Sequence, residues 1–345
     1  MHITHVNFAK GFRGGERQTL NLMQGLAALG CRQRLVCRPS GELMRRARDE
    51  ADVQLMPSAH PLLTHIGVPR TDLIHVHEAR GAYWAWLEHR LRGTPYLITR
   101  RVLDPISSSR LTRKVYADAT SLVGVSADAA RRLSLQTGRD VEVVLSSCAP
   151  ISAAPEAVQA IRRQVGGAPL IGHVGVLHDA VKGQSILIAA FRELASAWPQ
   201  ARLVLVGGGP DRERLQALAA GDERILFVGQ QKDVAAWLAA MDVFVFPSRM
   251  EALGTSVLDA MMLGVPVVAS TVGGLPELTG DGERGLSVAG EDPREWAATI
   301  GRLLSDAALR SRLVEAGRAF AAQNDVDAHA KRYLSLYRKL LAARG

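Results

Sequence analysis

The sequence predicts an α/β protein made of two doubly wound domains in series, each built on a parallel sheet. Short apolar, β-rich runs alternate with segments long enough for helices, and the alternation restarts after a stretch rich in Pro, Ala and Ser at residues 148–158. Continuous apolar runs between helices are typical of parallel strands covered on both faces. With 345 residues and 47% hydrophobic side chains, each half can bury its own core.

We expect an N-terminal domain over residues 1–152 and a C-terminal domain over residues 153–345, with a last helix able to pack back on the N-terminal domain. The predicted strands of the first half are HITHVNF, RQRLVC, VQLMPS, LIHVH, YLITRRV, SLVGVS and VEVVLSS. Those of the second half are LIGHVGV, RLVLVGGG, ILFVG, VFVFPS, VPVVAS and GLSV. From residue 292 onward, apolar residues at helical spacing predict helices.

The charge balance favours an anionic partner. Lysine and arginine number 42 against 34 acidic residues, a formal net charge of +8. Nucleotides, phosphorylated glycans or an acidic membrane surface suit such a surplus, although solubility alone explains it equally well. No block of basic residues marks a nucleic-acid-binding arm, and aromatic residues make up only 5% of the chain, which disfavours base stacking. We therefore expect no nucleic-acid partner.

Neither a metal site nor a membrane span is predicted. Cys31, Cys37 and Cys148 lack metal-ligand spacing and are interpreted as reduced residues. His75 and His77 share one strand face, but no third ligand is evident, so we interpret them as structural or cleft-lining histidines. The N-terminus lacks signal-peptide character, and no apolar run reaches about 20 residues. We expect a cytoplasmic protein with at most peripheral contact at the inner face of the cytoplasmic membrane.

The first predicted strand is followed by a glycine loop and a helix. Gly14 and Gly15 let the backbone approach a ligand, and residues 16–29 carry apolar side chains at helical spacing. The N-terminus of such a helix presents free N–H groups suited to phosphate. A plain strand-to-helix turn explains the same residues, and the full G-x-G-x-x-G fingerprint of dinucleotide-binding domains is absent.

Two further turns in the second half are candidates for ligand contact. Gly175 ends a strand, and Lys182 comes just before a helix, where its ammonium can neutralise a phosphate. A solvated loop lysine is the alternative. The turn around Gly208, in LVLVGGGP, allows either close packing or approach to a ligand.

The segment at residues 246–270 joins two apolar strands through a helix and carries two carboxylates. Gly254 and Thr255 begin the predicted helix, with a hydroxyl near its N-cap. Glu251 precedes the helix and Asp259 lies about two turns along, so both can face the crevice at the carboxyl edge of the sheet. Carboxylates suit sugar hydroxyls, and the amides of residues 253–255 suit phosphate. Capping and solvent exposure are the alternative.

Arg100 and Arg101 end another strand, in ITRRVLD. Paired arginines at a strand end can clamp an anion, although ordinary surface charge is the alternative.

Taken together, these segments resemble the nucleotide-sugar glycosyltransferases of the GT-B fold, and most closely the large retaining family four, also called group 1. The resemblance covers nearly the whole chain. It rests on GGERQTLNLMQGLAALG, LVGVSADAARRL, VKG, VLVGGGP, FVGQQKDVAAWLAAMDVFVFPSRMEALGTSVLDAMMLGVPVVASTVGGLPEL and GLSV, in that order and spacing. The resemblance implies two Rossmann-like domains that face each other across a cleft, with the donor held by the C-terminal domain and the acceptor by the N-terminal one.

The resemblance also implies roles for individual residues. Gly14 and Gly15 would lie against the donor diphosphate across the cleft, Lys182 would hold that diphosphate, and Glu251 would contact the transferred sugar. The remaining donor-binding positions would be Gly175, Gly208, Gln231 and Asp233 at the base, Leu253, Gly254 and Thr255 with their amides, and Asp259 at the ribose.

This chain departs from the family pattern at three places. Asp259 stands where a glutamate is usual, and Val176 stands where the family usually has an arginine on the diphosphate. Arg100 or Arg101 stands where a histidine usually lies near the reacting sugar. Our hypothesis is that one of these arginines replaces the lost positive charge, so both join Lys182 and Glu251 as candidate catalytic residues.

The implied activity is metal-independent, retaining transfer of a sugar from a nucleoside diphosphate sugar, by family habit a UDP-sugar, to a hydroxyl of a glycan or glycolipid. Because the chain is basic and lacks a membrane span, we expect a cell-envelope acceptor of the lipopolysaccharide type. The alternatives are a protein that binds nucleotide sugars without catalysis and a sugar epimerase of the GT-B fold.

Overall fold

The computed structural model describes residues 1–148 and 151–343, so Ala149 and Pro150 of the predicted interdomain stretch lie outside the described residues. The chain divides into two compact units. The N-terminal unit comprises Met1–Ser147 and Asn324–Gly345, and the C-terminal unit comprises Cys148–Gln323.

The described strands form one parallel sheet in each unit. In the N-terminal unit they are β1 (His2–Asn7), β2 (Arg32–Cys37), β3 (Gln54–Pro57), β4 (Leu73–Val76), β5 (Tyr96–Arg100), β6 (Ser121–Gly124) and β7 (Glu142–Val143). In the C-terminal unit they are β8 (Leu170–Val174), β9 (Arg202–Val206), β10 (Ile225–Gly229), β11 (Val243–Phe246), β12 (Val267–Ser270) and β13 (Leu286–Val288).

The described helices cover both faces of these sheets. They are α1 (Gly14–Ala28), α2 (Glu42–Glu50), α3 (Gly81–Arg92), α4 (Arg110–Ala117), α5 (Ala127–Thr137), α6 (Pro155–Gln164), α7 (Asp179–Lys182), α8 (Gln184–Leu194), α9 (Arg212–Leu218), α10 (Val234–Ala239), α11 (Thr255–Met262), α12 (Leu275–Thr279), α13 (Pro293–Ser305), α14 (Ala307–Ala322) and α15 (Val326–Ala342). Within the described residues, no helix combines the length and the apolar character that a bilayer crossing requires.

The strand order places a topological switch point in each sheet. The orders are β3-β2-β1-β4-β5-β6-β7 and β10-β9-β8-β11-β12-β13, and every paired strand is parallel. The chain therefore leaves β1 and β4 in opposite directions, and likewise β8 and β11. The crevice beyond the carboxyl ends of such strands is where open α/β sheets bind ligands.

The sheet of the N-terminal unit is covered on one face by α1 and the C-terminal helix α15. Ile3, Leu97 and Tyr337 belong to the buried cluster on this face. The two helices approach closely at Gly25, where an added Cβ would lie 2.7 Å from the Ala330 Cβ. The last helix is thus part of the N-terminal unit because its apolar face completes that unit's core.

Two loops at the carboxyl edge of the C-terminal sheet are bonded to each other. The Leu177 amide donates to the Gly208 carbonyl at 3.0 Å, and the Asp211 amide donates to the Leu177 carbonyl at 3.0 Å. A Cβ on Gly209 would lie 2.3 Å from the Leu177 carbonyl oxygen, whereas a Cβ on Gly208 would meet nothing closer than Gln230 Cγ at 4.0 Å. Gly209 is therefore needed for packing, and Gly208 faces open space.

Several histidines are buried as neutral groups in the two units. Burial lowers the pKa of His5 and of His173 to about 4, and it lowers the pKa of His329 to about 3 with a further contribution from the nearby Arg101 charge. The ordinary histidine pKa is about 6.5. The folded protein therefore binds fewer protons than the unfolded chain between about pH 4 and pH 6.5.

We predict that Gly209→Ala destabilises the C-terminal unit and that Gly208→Ala does not. Because backbone atoms of Leu177 cannot move aside, the added methyl should cost about 1–3 kcal/mol, or several degrees in melting temperature. Differential scanning fluorimetry of the two variants measures this. Equal melting temperatures would show that the loop at residues 175–178 is not held in this geometry.

We also predict that the protein loses stability as the pH falls from about 6.5 to 4. In that window the histidines of the unfolded chain bind protons, whereas the buried histidines of the folded protein stay neutral. The free energy of unfolding therefore decreases as the pH falls. His329 Nδ1 contacts the Leu145 carbonyl at 2.8 Å, and His329→Asn keeps a side-chain donor for that carbonyl. This variant should lose less stability over this pH window than the wild type. His60→Asn, at an exposed histidine, is the control and should follow the wild type. Urea unfolding at several pH values checks this, and a slope unchanged by His329→Asn would contradict it.

Candidate functional site

Lys182 and Glu251 meet at the switch point of the C-terminal sheet. Lys182 ends α7, which follows β8, and Glu251 lies in the loop after β11, so the two parallel strands deliver them to the same edge. The Lys182 ammonium donates to Glu251 Oε2, and it also lies 4.9 Å from the centre of the Phe246 ring. Both side chains are mostly buried, with 20% and 15% exposed. The structure thus brings together two of the predicted catalytic residues.

The loop that carries Glu251 leads directly into the N-terminus of α11. The helix is preceded by Gly254 at φ 92° and ψ 61°, and a Cβ there would lie 2.7 Å from Leu275 Cδ2. The N-cap is Gly254, and the predicted hydroxyl near it is that of Thr255, the first helical residue, although no side chain caps this end. Since the first amides of a helix have no intrahelical acceptor, Thr255 and its neighbours offer N–H groups to an anion. Leu253 is buried and Thr255 is half-buried.

Asp259 lies further along α11 and contacts a cysteine. The Cys148 thiol lies 3.7 Å from Asp259 Oδ1 and 3.6 Å from the Leu258 carbonyl oxygen. Asp259 is half-buried, whereas Cys148 is fully buried. Cys148 is predicted from the sequence only to be reduced, and no sequence signal indicates that it reaches the predicted ribose-binding position.

A buried polar group supports the glycine turn after β8. The Gln184 side chain donates to the Val176 carbonyl at 2.9 Å and lies 3.3 Å from His173 Nε2. His173 Nδ1 donates to the Val245 carbonyl at 3.0 Å, which links this turn to β11. An added Cβ on Gly175 would lie 3.0 Å from His173 Nε2, so a glycine at this position lets the backbone pass close to the imidazole ring. Val176, at the position of the usual arginine, is exposed.

The predicted base-binding residues follow β10. Gln231 donates to the Val228 carbonyl at 2.5 Å and lines an open pocket of about 520 Å³ together with Phe227 and Trp237. Asp233 is exposed, and its carboxylate accepts the Ala236 amide at 2.9 Å as the N-cap of α10. The Asp233 side chain therefore has a structural role in this structure, whereas Gln231 lies beside free space.

The glycine loop of the N-terminal unit is held by side chains on both sides. The Glu16 carboxylate accepts the Arg13 amide at 2.9 Å, and this cap makes α1 begin at Gly14, two residues before the predicted start. The Gly15 carbonyl accepts the Thr19 hydroxyl at 3.0 Å, and an added Cβ on Gly15 would lie at an ordinary 3.9 Å from Arg101 Cδ. Gly15 thus lies near Arg101.

Arg100 and Arg101 project to opposite faces of the sheet because side chains alternate along a strand. Arg100 is buried, and its guanidinium donates to the Asp104 carbonyl. Arg101 is half-buried, and its Nη1 lies 3.2 Å from His77 Nδ1 and 3.4 Å from the His77 carbonyl oxygen. Its Nε is buried without a hydrogen-bond partner among the described residues. The structure therefore brings Arg101, and not Arg100, to the glycine loop.

A third histidine that the sequence analysis missed joins His75 and His77. His5 pairs in register with His75 across β1 and β4, and the three rings have ligand atoms within 4.8 Å of one another. The ring nitrogens are already hydrogen-bonded, however: His75 contacts the Tyr337 hydroxyl at 2.6 Å and the Thr99 hydroxyl at 2.7 Å. A guanidinium beside His77 would also repel a cation. We interpret the cluster as a hydrogen-bonded core group, which only the strand register could have revealed.

Two family models match this chain. One, described as Glycosyl transferases group 1, covers residues 168–306, and the other, described as Glycosyltransferase Family 4, covers residues 12–145. A 2-deoxystreptamine glucosyltransferase of Streptomyces kanamyceticus is 30% identical over 88% of this chain and 93% of its own length. A D-inositol 3-phosphate glycosyltransferase of Corynebacterium jeikeium (strain K411) is 28% identical over 96% of this chain and 86% of its own length.

The same likeness is found in three dimensions. The crystal structure of Anabaena Alr3699/HepE in complex with UDP and glucose superposes with a TM-score of 0.81 at 20% identity, over 97% of this chain and 98% of that chain. At that identity the likeness concerns the fold alone. The predicted α/β architecture, with two parallel-sheet domains of the GT-B fold, is confirmed. Together with the family models and the relatives, it shows that this chain is a glycosyltransferase and belongs to the group 1, or family four, glycosyltransferases.

Proposed function

We propose that this glycosyltransferase is a metal-independent, retaining enzyme that takes its sugar from a nucleoside diphosphate sugar, with UDP as the carrier. The observation that carries the proposal is the Lys182–Glu251 pair beside the uncapped N-terminus of α11. At the carboxyl edge of the C-terminal sheet, Lys182 and the first amides of α11 can bind a diphosphate, and the Glu251 carboxylate beside them can bind a sugar. The neighbour of known structure that was crystallised with UDP and glucose agrees with this donor class.

The C-terminal unit binds the donor in this proposal. Lys182 and the first amides of α11 neutralise the diphosphate, which draws the ammonium away from Glu251. The freed Glu251 carboxylate then accepts hydrogen bonds from the sugar hydroxyls. The other donor-binding residues are Gly175 and Gly208 beside the phosphates, Leu253, Gly254 and Thr255 with their amides, Asp259 at the ribose, and Gln231 and Asp233 at the base.

The reaction breaks the bond between the anomeric carbon and the diphosphate while an acceptor hydroxyl attacks. Negative charge grows on the departing diphosphate, and preorganised donors around it can lower the barrier by several kcal/mol. Lys182 and α11 supply such donors without a metal ion. Retention is proposed from the family, with the departing phosphate assisting the incoming hydroxyl on the same face.

The N-terminal unit contributes the acceptor site and one positive charge. Gly15, which follows Gly14 in the glycine loop, brings backbone close to Arg101. Among the described residues, no carboxylate lies within hydrogen-bond distance of the Arg101 guanidinium. We assign Arg101 to a phosphate group of the bound substrates. Arg100 is assigned a structural role, because it is buried on the opposite face of the sheet.

The acceptor in this proposal is a hydroxyl of a glycan or glycolipid. More specifically, we propose an anionic cell-envelope glycan of the lipopolysaccharide type. The net charge of +8 supports an anionic acceptor and peripheral contact with the inner face of the cytoplasmic membrane by a cytoplasmic enzyme. Relatives named for inositol phosphate and deoxystreptamine make ring polyols the competing acceptor class. Both classes belong in one acceptor screen.

We predict that Lys182→Ala abolishes the stabilisation that UDP gives to the wild type. A ligand at about 100 times its Kd stabilises the folded state by about 2.7 kcal/mol, and this gain disappears when its charge partner is removed. Thermal melts with and without UDP measure the effect. Lys114→Ala, which removes a lysine from an exposed pair with Asp118, is the matched control and should keep the full shift. A full UDP shift in Lys182→Ala would refute the donor site.

We predict that Glu251→Gln lowers kcat by about 100-fold while UDP binding persists, because the amide cannot replace the carboxylate at the reacting sugar. Reactions with UDP-sugars are run with and without the acceptor panel and analysed by liquid chromatography coupled to mass spectrometry. The masses measure transfer and donor hydrolysis, and the chromatography separates epimeric UDP-sugars of equal mass and so measures epimerisation. Glu315→Gln, at an exposed carboxylate of the same unit, is the control. Unchanged transfer by Glu251→Gln would contradict the role of Glu251 at the reacting sugar. If the wild type epimerises the donor without transferring its sugar, the protein is instead an epimerase.

A further inference from the structure

A line of hydrogen bonds runs through the core of the N-terminal unit beneath Arg101. Arg101 Nη1 lies 3.2 Å from His77 Nδ1, and His77 Nε2 lies 2.9 Å from His5 Nδ1. His5 Nε2 lies 3.0 Å from Gln33 Oε1, and Gln33 Nε2 donates to the Met23 carbonyl at 2.8 Å. The line connects a cation at the carboxyl edge of the sheet to the backbone of α1.

The direction of every bond in this line follows from its two ends. A guanidinium can only donate, so His77 Nδ1 must accept and the ring proton lies on His77 Nε2. That proton is donated to His5 Nδ1, which places the His5 proton on Nε2, facing Gln33. At the other end, the Met23 carbonyl can only accept, so the Gln33 amide turns its NH₂ toward Met23 and its oxygen toward His5. Both ends require the same tautomers.

Both histidines are neutral at physiological pH. Burial lowers the pKa of His5 to about 4, and it lowers the pKa of His77 well below its ordinary value, with the neighbouring His75 and the Arg101 charge acting in the same direction. Neutral His77 therefore keeps its lone pair on Nδ1 for Arg101. Protonation would remove that acceptor and set two cations side by side.

The choice of histidine has a consequence for the charge of Arg101. A carboxylate in the same place would hold the guanidinium equally well but would cancel its charge, as Glu251 does for Lys182. An imidazole holds the guanidinium through a lone pair and leaves the full positive charge. The buried Nε of Arg101, which has no partner among the described residues, agrees with a group that is oriented but not neutralised.

We propose that His77, backed by His5 and Gln33, is a positioning residue that orients Arg101 and keeps its charge available for a phosphate group of the substrate. The proposal rests on the proposed function, which assigns Arg101 to a substrate phosphate. The phosphate belongs either to the donor diphosphate or to a separate anionic group, and the two sources share the same chemistry.

The test compares replacements of His77 that differ in charge and in hydrogen bonding. His77→Gln keeps a neutral acceptor, His77→Leu removes it, and His77→Glu replaces it with a carboxylate. The set also includes Arg101→Met and the double variant His77→Leu/Arg101→Met. Isothermal titration calorimetry measures the affinity of each variant for UDP and for inorganic phosphate, and the melting temperature of each variant is measured as well. A weakened affinity for UDP identifies the donor as the source of the phosphate, and a weakened affinity for inorganic phosphate alone identifies a separate anion.

We expect Arg101→Met, His77→Leu and His77→Glu to weaken one of the two probes by about ten-fold, and His77→Gln to bind within about two-fold of the wild type. His77→Glu gains an ion pair with Arg101 but loses the donor to His5 Nδ1, so we expect it to melt no lower than His77→Leu, which loses both. A binding loss in His77→Glu at a melting temperature at or above that of His77→Gln reports the cancelled charge and not misfolding. In the Arg101→Met background, His77→Leu should have no further effect.

Two results would overturn the proposal: wild-type binding by His77→Glu, or an effect of His77→Leu that persists without Arg101. If Arg101→Met itself binds both probes normally, the anion role of Arg101 and this proposal fail together. The donor site is judged separately, by the response of Lys182→Ala to UDP.

Discussion

The Lys182–Glu251 pair of the C-terminal unit depends on one close approach of backbone, that of Gly183 to the Pro247 carbonyl. Gly183 adopts φ 65°, and a Cβ there would lie 2.1 Å from the Pro247 oxygen. The approach lets the Val181 carbonyl accept the Arg249 amide at 2.8 Å and the Met250 amide at 3.2 Å. Two loops that follow different strands are thereby joined, and their charged side chains, Lys182 and Glu251, can meet although they lie 69 residues apart.

The two units hold the cations that we assign to substrate phosphates, Lys182 and Arg101, in different ways. In the C-terminal unit, Lys182 is paired with the Glu251 carboxylate, and in the proposed function this pair separates when the donor binds. In the N-terminal unit, Arg101 is held by neutral imidazole and keeps its charge. A paired cation is less costly to bury than an unpaired one but must exchange partners to bind an anion, whereas an unpaired cation attracts an anion directly.

The folded core explains why that cost can be met at Arg101. His77, His75 and His5 are buried under α1 and α15, and their hydrogen bonds end on hydroxyls, an amide and a backbone carbonyl. The C-terminal helix α15 supplies Tyr337 to this group, so the end of the chain contributes to the surroundings of a strand-end arginine. A polar core of this kind is stable only when its donors and acceptors are matched.

The amino-acid sequence alone determined the alternation of strands and helices, because apolar runs of strand length and the glycines after them are local signals. It also placed Lys182, Glu251 and the Gly14–Gly15 loop after the carboxyl ends of strands, and Asp259 within the helix that follows Glu251. Strand alternation would also have separated Arg100 from Arg101, had it been applied to ITRRVLD.

Only the tertiary structure decided which side chains meet. The register of β1 against β4 brought His5 to His75, and the packing of loops showed that Gly209 is needed where Gly208 is not. The thiol of Cys148 at Asp259 and the return of α15 to the first sheet likewise join residues that are far apart in the sequence. The physical reason is that periodicity and turn chemistry act over a few residues, whereas these contacts join residues brought together by the burial of whole faces.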